Sequence, residues 1–473
     1  MTILDDSMPM PRSGRRQSES DIAARKSLNR ATMGALIALL ALVPLPFGAV
    51  HAFSWGFFAL YTGAALTLYM LRMSTLDIGL SAPLANMRVS IALFALYCGY
   101  LVLQMAPLGW INTGLTSFVA NGMSIESATI SVATNQTALM LMRHLTYGAL
   151  FLLVIQVTQN PARREVFLNA ILTIIAIYCL QALVSLQTGD TVLGVTKRAY
   201  IGSATGPFVN RNSFATFLAM GAMIALVQAG RNLIHQTERH PHDGLVPGAI
   251  SNSVLYGVAY LVLVGVVFAT NSRMGAFCTL AGSAVVIAII IGRVVRSLTA
   301  VIVLLAAIFG SFILALVLFG EQLFNRLVEV ESSTIVRSDL YEQVMQLIAM
   351  RPWLGFGGGA FEQAFQIVHQ FPVSPDLRWD RAHNSFLSLW SEMGLIAGSL
   401  PVLVFVWIGI RLMRALRQEG PEWPIQAVGL AVLVVAGLHS LVDFSLEIQA
   451  NAVFFVALIA MALGTTFRNE TTR

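Results

Sequence analysis

Runs of about twenty apolar residues recur along nearly the whole 473-residue chain, and this repetition leaves few folds open to it. A helix rises about 1.5 Å per residue, so each run can cross a hydrocarbon core of about 30 Å. The runs fall near 31–50, 53–72, 88–106, 138–158, 166–187, 207–228, 252–270, 274–292, 298–319, 385–411, 425–444 and 449–467. In lipid every backbone N–H and C=O must be satisfied within its own segment, so the runs are read as helices. The expectation is an all-α polytopic membrane protein with about twelve spans and both termini on one side. Composition agrees: 56% of residues are hydrophobic, only 11% are charged, and the mean hydropathy is +0.73. These values lie outside the range of soluble domains. Pro44 and Pro46 are expected to kink the first span, and only Asn271–Arg273 separate the seventh from the eighth.

Charge sets the orientation. Loops assigned to the inside carry Arg72, Arg163 with Arg164, Arg231 with Arg239, Arg293 with Arg296, and the trio Arg411, Arg414 and Arg417, whereas the outside stretch 107–136 has no Lys or Arg. That asymmetry follows the positive-inside rule. The net charge of +5 and the isoelectric point near 9.3 then reflect arginines beside lipid headgroups, not nucleic-acid binding. Residues 1–30 read as a disordered cytoplasmic tail. The run after it lacks a small-residue cleavage site and reads as a signal anchor. Cys98, Cys179 and Cys278 lie in or at the ends of apolar runs and read as packed thiols; no Cys/His spacing suggests a metal.

The longest break in the pattern is 320–382, expected to be an outer, periplasmic loop. Within it Leu340, Tyr341, Val344, Leu347 and Ile348 recur at helical spacing over Ser338–Met350, so an amphipathic helix should lie on the membrane surface or cap the bundle. Arg351-Pro352 ends it, the glycines at 355 and 357–359 make a sharp turn, and a second amphipathic piece is expected over Phe361–His369. The chain thus divides into a tail (1–30), nine spans (31–319), the loop (320–382), three spans (383–467) and a short cytoplasmic tail (468–473). No internal repeat marks the inverted halves of a secondary transporter.

Against this frame, Lys197, Arg198, Arg211 and Arg273 stand at the outer face, where cations are costly unless they meet an anion. Asn210 and Asn212 flank Arg211 at the mouth of the sixth span; guanidinium and amide donors suit phosphate oxygens. Snorkelling of Arg211 to the headgroups, with the asparagines capping the helix, is the alternative. For Lys197 and Arg198 the interface reading and the ligand reading stand level. In the turn around Arg273, Ser272 can cap the next helix and aim its N-terminal amides at an anion. His383 and Asn384 open the tenth span at the same face, followed by Glu392. His439 and Asp443 with Glu447 and Asn451 read mainly as a buried polar network behind them.

Taken in order, GPFVNRNSF, the NSRMGA turn, RPWLGFGGGAF, HNSFLSLWSEMGLIAG and HSLVDFSLEIQAN resemble the O-antigen ligase/polymerase superfamily of bacterial envelope proteins over roughly 200–455. The resemblance implies a GT-C-like membrane fold. It implies transfer of a glycan from undecaprenyl pyrophosphate to an acceptor hydroxyl, in the ligases a lipid A–core sugar, at the outer face of the bacterial inner membrane. It assigns pyrophosphate binding to Arg211 and Arg273, with Lys197 or Arg198 as a further cation, and acceptor activation to His383.

The chemistry supports that reading independently. Displacement at an anomeric carbon needs charge stabilisation for the departing pyrophosphate and a base for the incoming hydroxyl. Guanidinium groups can supply the first in place of a metal, and an imidazole the second. A metal-dependent enzyme of this kind should carry carboxylates in its first outer loop; His51–Ser54 has none. The expectation is therefore an inverting enzyme with no metal and no cofactor, whose partners are the lipid-linked donor, the glycan acceptor and membrane lipids. A polymerase joining lipid-linked repeat units shares these motifs. A lipid-linked saccharide transporter would need cations along a path open to both faces, whereas here they gather at one.

Overall fold

A computed structural model describes residues 19–111, 113–120, 122–239, 247–294, 327–418 and 420–467. The main helices are α1 (Glu19–Leu42), α2 (Ala52–Thr75), α3 (Arg88–Met105), α4 (Thr134–Val157), α5 (Pro161–Gln187), α6 (Arg211–Arg239), α7 (Pro247–Ala269), α8 (Arg273–Val294), α9 (Leu327–Met350), α10 (Phe361–Phe365), α11 (Ser385–Leu416), α12 (Trp423–Ser440) and α13 (Gln449–Thr465). Nine helices among the described residues are long and apolar enough to cross a membrane, and the protein is an all-α polytopic membrane protein. Two short antiparallel hairpins, Phe118–Ala120 with Met123–Ile125 and Thr191–Val192 with Val195–Thr196, are the sheet among those residues.

The expected spans correspond to helices except 298–319, which lies outside the described residues, as do the tails 1–18 and 468–473. Other boundaries move. Helix α1 begins at Glu19, within the stretch expected to be disordered, because its polar turns find partners. The Tyr69 hydroxyl donates to buried Asn29 Oδ1 at 3.1 Å, and Arg25 donates to Ser81 Oγ at 2.8 Å. The same helix ends at Leu42, so Pro44 and Pro46 terminate it instead of kinking it. Phe47, Gly48 and Ala49 then turn through the left-handed region, and the Ala450 amide donates to Gly48 O at 3.1 Å. Helix α9 starts eleven residues before Ser338 (338 − 327), and the second amphipathic piece shrinks to Phe361–Phe365.

Burial separates a core from a rim. Of the apolar windows, 89% of α6 and 72% of α12 lie inside the protein, against 22% of α2 and of α7. Nearly all of α13 is buried as well. Runs such as Ala222-Met223-Ile224-Ala225 and Ala460-Met461-Ala462 let backbones approach closely, which is how helices associate when lipid offers no hydrophobic contrast. Helices α6, α8, α12 and α13 therefore form the centre. A Cβ on Gly275, in the first turn of α8, would lie 2.4 Å from Ala215 Cβ in the first turn of α6. The two helices begin side by side.

The stretch that precedes α11 is packed. Leu340, Val344, Ile348, Phe361, Phe365, Val373, Ala382 and Leu387 share a small core of their own. Below it, α11 breaks at Gly394 (φ 72°, ψ 168°). The freed backbone is bound by the loop: the Phe356 amide donates to Ser391 O (3.0 Å), the Gly357 amide to Glu392 O (2.9 Å), and the Leu395 amide to Pro352 O (2.7 Å). Only glycines permit this approach. A Cβ at Gly355 would sit 2.4 Å from Glu392 O, and one at Gly394 would sit 2.3 Å from Trp353 O. Gly355→Ala or Gly394→Ala should therefore cost about 1–3 kcal/mol through left-handed strain and this clash, read as a lower unfolding temperature in detergent. Gly265→Ala, with nothing within 4 Å of its Cβ, should unfold at or above the wild-type temperature.

Candidate functional site

The side chains singled out in the sequence are carried by helix termini. Helix α6 starts at Arg211 and α8 at Arg273, at the same end of the bundle. Asn210 Oδ1 accepts the Asn212 amide at 2.7 Å, so Asn210 caps α6. Ser272 Oγ accepts the Gly275 amide at 3.1 Å and caps α8. The loop before α6 rests on the turn before α8: the Ala204 amide donates to Ala269 O (2.9 Å) and Asn271 Nδ2 to Ser203 Oγ (3.0 Å). Two packed helix N-termini, each opened by an arginine, concentrate positive potential at one place.

Asp443, in the turn after α12, ties this end to His383. It is almost fully buried. Its Oδ1 accepts Asn212 Nδ2 at 3.3 Å, its Oδ2 accepts the Ser445 hydroxyl at 2.6 Å, and its main-chain oxygen accepts Ser385 Oγ at 3.3 Å. His383 Nδ1 lies 4.0 Å from Oδ1. Asn384 caps α11 through the Phe386 and Leu387 amides, at 3.0 and 3.1 Å, and donates to Leu441 O at 2.7 Å. Asn451 Nδ2 reaches Ser213 O (2.9 Å) and Ser445 O (3.0 Å). His439 is paired through Nδ1 with Thr216 of α6. The polar network expected around His439 and Asp443 thus joins the starts of α6, α11 and α13.

His383 has φ 52°, a left-handed conformation that costs a branched or bulky residue free energy. The Tyr341 hydroxyl donates to its main-chain oxygen at 2.8 Å, and its ring meets Phe444 edge-on at 4.9 Å. Nδ1 is buried and turned toward Asp443 without a hydrogen bond, while the side chain keeps 28% of its surface exposed, which leaves Nε2 for an incoming group. Burial pushes the imidazole below its usual 6.5; Asp443 and Asp380 oppose this, and Arg337 and Arg381 add to it.

Arg337, on α9, is the residue that the sequence reading missed. Its charge bears on Tyr200, Tyr341, His383 and His439. The Arg211 guanidinium lies over the Tyr200 ring at 5.2 Å, with its Nε buried and lacking a hydrogen bond. The signal available in sequence was a lone arginine one position before Ser338, hidden because the helix was expected to begin there.

The remaining candidates divide. Lys197 is buried in an ion pair with Asp190 and donates to Ser203 O at 2.7 Å. Burial opposes the Asp190 charge, but Lys197 and the Gly202 amide hold its pKa below the usual range. Lys197 is thereby committed to folding the 190–203 loop, whereas Arg198 is exposed on it. Glu392 lies more than two turns below His383; its Oε1 accepts the Phe361 amide at 3.2 Å, so it secures the glycine loop rather than the imidazole.

Residues 258–402 match the family model described as O-antigen ligase. Over this stretch the chain is similar to the O-antigen ligase family. The matched stretch contains Arg273, Arg337, the glycine loop and His383, while Arg211 and Asp443 lie to either side of it. The match supports ligase- or polymerase-type activity. No curated protein matches the chain.

The Lys197–Asp190 assignment is testable by stability. Breaking a buried pair from one side leaves an uncompensated charge. Lys197→Met leaves the partly exposed Asp190 without its partner and should cost about 1 kcal/mol, and the double variant Asp190→Asn/Lys197→Met should recover most of that loss in thermal unfolding.

Proposed function

We propose that the protein transfers a glycan from undecaprenyl pyrophosphate to an acceptor hydroxyl, that of lipid A–core, at the periplasmic face of the bacterial inner membrane. The observation that carries this reading is the buried Asp443, which joins the helix opened by Arg211 to the imidazole of His383. Charge stabilisation and base are then held on one support.

In the proposed step the acceptor oxygen attacks the anomeric carbon from the face opposite the leaving group, which inverts that centre. The new C–O bond forms as the bond from carbon to the pyrophosphate oxygen breaks. The departing undecaprenyl pyrophosphate keeps the electron pair, and the hydroxyl proton passes to His383 Nε2. Arg211, Arg273 and Arg337 bind the pyrophosphate; planar guanidinium forks suit its oxygens and need no metal to neutralise the developing charge. Asp443 orients Nδ1 and stabilises the imidazolium that forms. Lys197 is left to its structural pair.

Three measurements test the assignment. His383→Gln should lose nearly all turnover while donor binding is retained; near-normal turnover would refute His383 as the base. Arg211→Ala and Arg273→Ala should weaken donor binding, each charge-assisted contact being worth about 1.5–3 kcal/mol, and lysine should rescue only partly. The pH profile of kcat/KM has a definite sign. A base must be neutral, so activity falls as pH drops through the His383 pKa, which burial sets below 6.5. Asp443→Asn removes a charge that raises this pKa, so the acid limb should move to lower pH. Arg337→Gln removes one that lowers it, so the limb should move to higher pH.

Sidedness is tested by cysteine labelling, since Cys98, Cys179 and Cys278 are all buried. Asp376→Cys in the outer loop should label from the periplasm and Thr75→Cys at the far end of α2 only after permeabilisation. Labelling of both from one side would overturn the topology.

A further inference from the structure

Helices α2 and α4 enclose an apolar groove of about 370 Å³, lined chiefly by Ala59, Gly63, Ala138, Met142, Leu145 and Ala149. Both helices bury little of their apolar surface in the protein, 22% and 28%, so the groove opens toward the lipid phase. Its width comes from small residues on α2: a Cβ at Gly63 would meet nothing within 4 Å.

A cation flanks this groove. Arg143 belongs to α4, between the lining residues Met142 and Leu145, and its guanidinium lies 4.4 Å from the ring centroid of Trp55, one turn before Ala59 on α2. Arg143 Nε is buried without a hydrogen bond, while its Nη2 donates to Glu447 O and to the Tyr147 hydroxyl at 3.3 Å. Glu447 Oε2 in turn lies 3.2 Å from Arg381 Nε, two residues from His383. The turn 441–447 therefore links two places. At Asp443 it meets the start of α6, beside Arg211; at Glu447 it meets Arg143 and Arg381. His383 stands over Phe444, between them.

From this arrangement we infer that the α2–α4 groove seats a hydrocarbon chain of the acceptor, and that the acceptor is an anionic lipid whose headgroup lies on the Arg143 side of His383. The inference rests on the transferase reading above and adds the route by which the acceptor arrives. A reaction between two membrane-anchored substrates needs two separate seats, because one groove cannot hold both chains. The helix N-termini at Arg211 and Arg273 suit the doubly charged pyrophosphate. The second seat pairs an apolar trough with one arginine and an aromatic ring, a combination that fits an acyl chain below a phosphorylated sugar.

The test uses the purified full-length protein in nanodiscs, with two acceptors: lipid A–core and the same glycan freed of its acyl chains. Gly63→Leu adds bulk to the groove from a position whose Cβ meets nothing within 4 Å, and Gly257→Leu on α7, equally open, controls for added bulk. If the groove seats the acceptor chain, Gly63→Leu raises KM for lipid A–core by about tenfold, the equivalent of two or so methylenes left unburied. It leaves the donor KM and transfer to the deacylated glycan at wild-type values. An unchanged KM for lipid A–core overturns the proposal, and so does a rise in the donor KM instead, which would make the groove a seat for the polyprenyl chain. Equilibrium binding of radiolabelled lipid A–core separates this from the transferase reading. Weaker binding to Gly63→Leu in a protein that transfers to neither acceptor keeps the groove and removes the proposed reaction; equal binding removes the groove.

Discussion

A single buried carboxylate organises the end of the bundle where α6 and α11 begin. Asp443 sits where water is largely excluded, and an ionised group there is tolerated only when its surroundings supply donors. Those donors come from Asn212 at the start of α6 and Ser445 in its own turn, while Ser385 at the start of α11 binds its main-chain oxygen. Satisfying one residue thus brings together segments more than two hundred positions apart. His383 faces the same oxygen as Asn212, so the geometry of the imidazole and the position of the α6 terminus cannot be set independently.

The small residues of the core serve the same end. Helices α6 and α8 begin in contact because Gly275 lets Ala215 approach, and each capped N-terminus is opened by an arginine. The ion pair of Lys197 with Asp190 shapes the connection into α6, which explains how a cation in the right region can belong to the scaffold of a site and not to its chemistry.

Much of this was legible in the residues. Apolar length reveals spans because lipid removes the alternatives to a helix, and the arginines at 211 and 273 marked the two helix termini that the fold packs together. Three things were not legible. The start of α1 is polar and reads as a tail until Tyr69 and Ser81, residues from other segments, satisfy Asn29 and Arg25. The pairing of Lys197 depends on an aspartate that returns to it only through a hairpin. Arg337 looked like a loop charge because the serines, threonine and glutamates before it conceal a helix that runs on toward the site. Each miss is a case of tertiary partners overriding local pattern.

The break in α11 at Gly394 gives the glycine loop before it a mechanical character. A helix interrupted within the bilayer would leave bare amides and carbonyls, and here residues 352–357 occupy them as an added strand-like partner would. The loop is in effect spliced into the wall of the bundle, and lifting it would expose those groups to hydrocarbon. On the proposed function, lipid-linked glycans would then reach the imidazole from the side, between helices in the plane of the membrane.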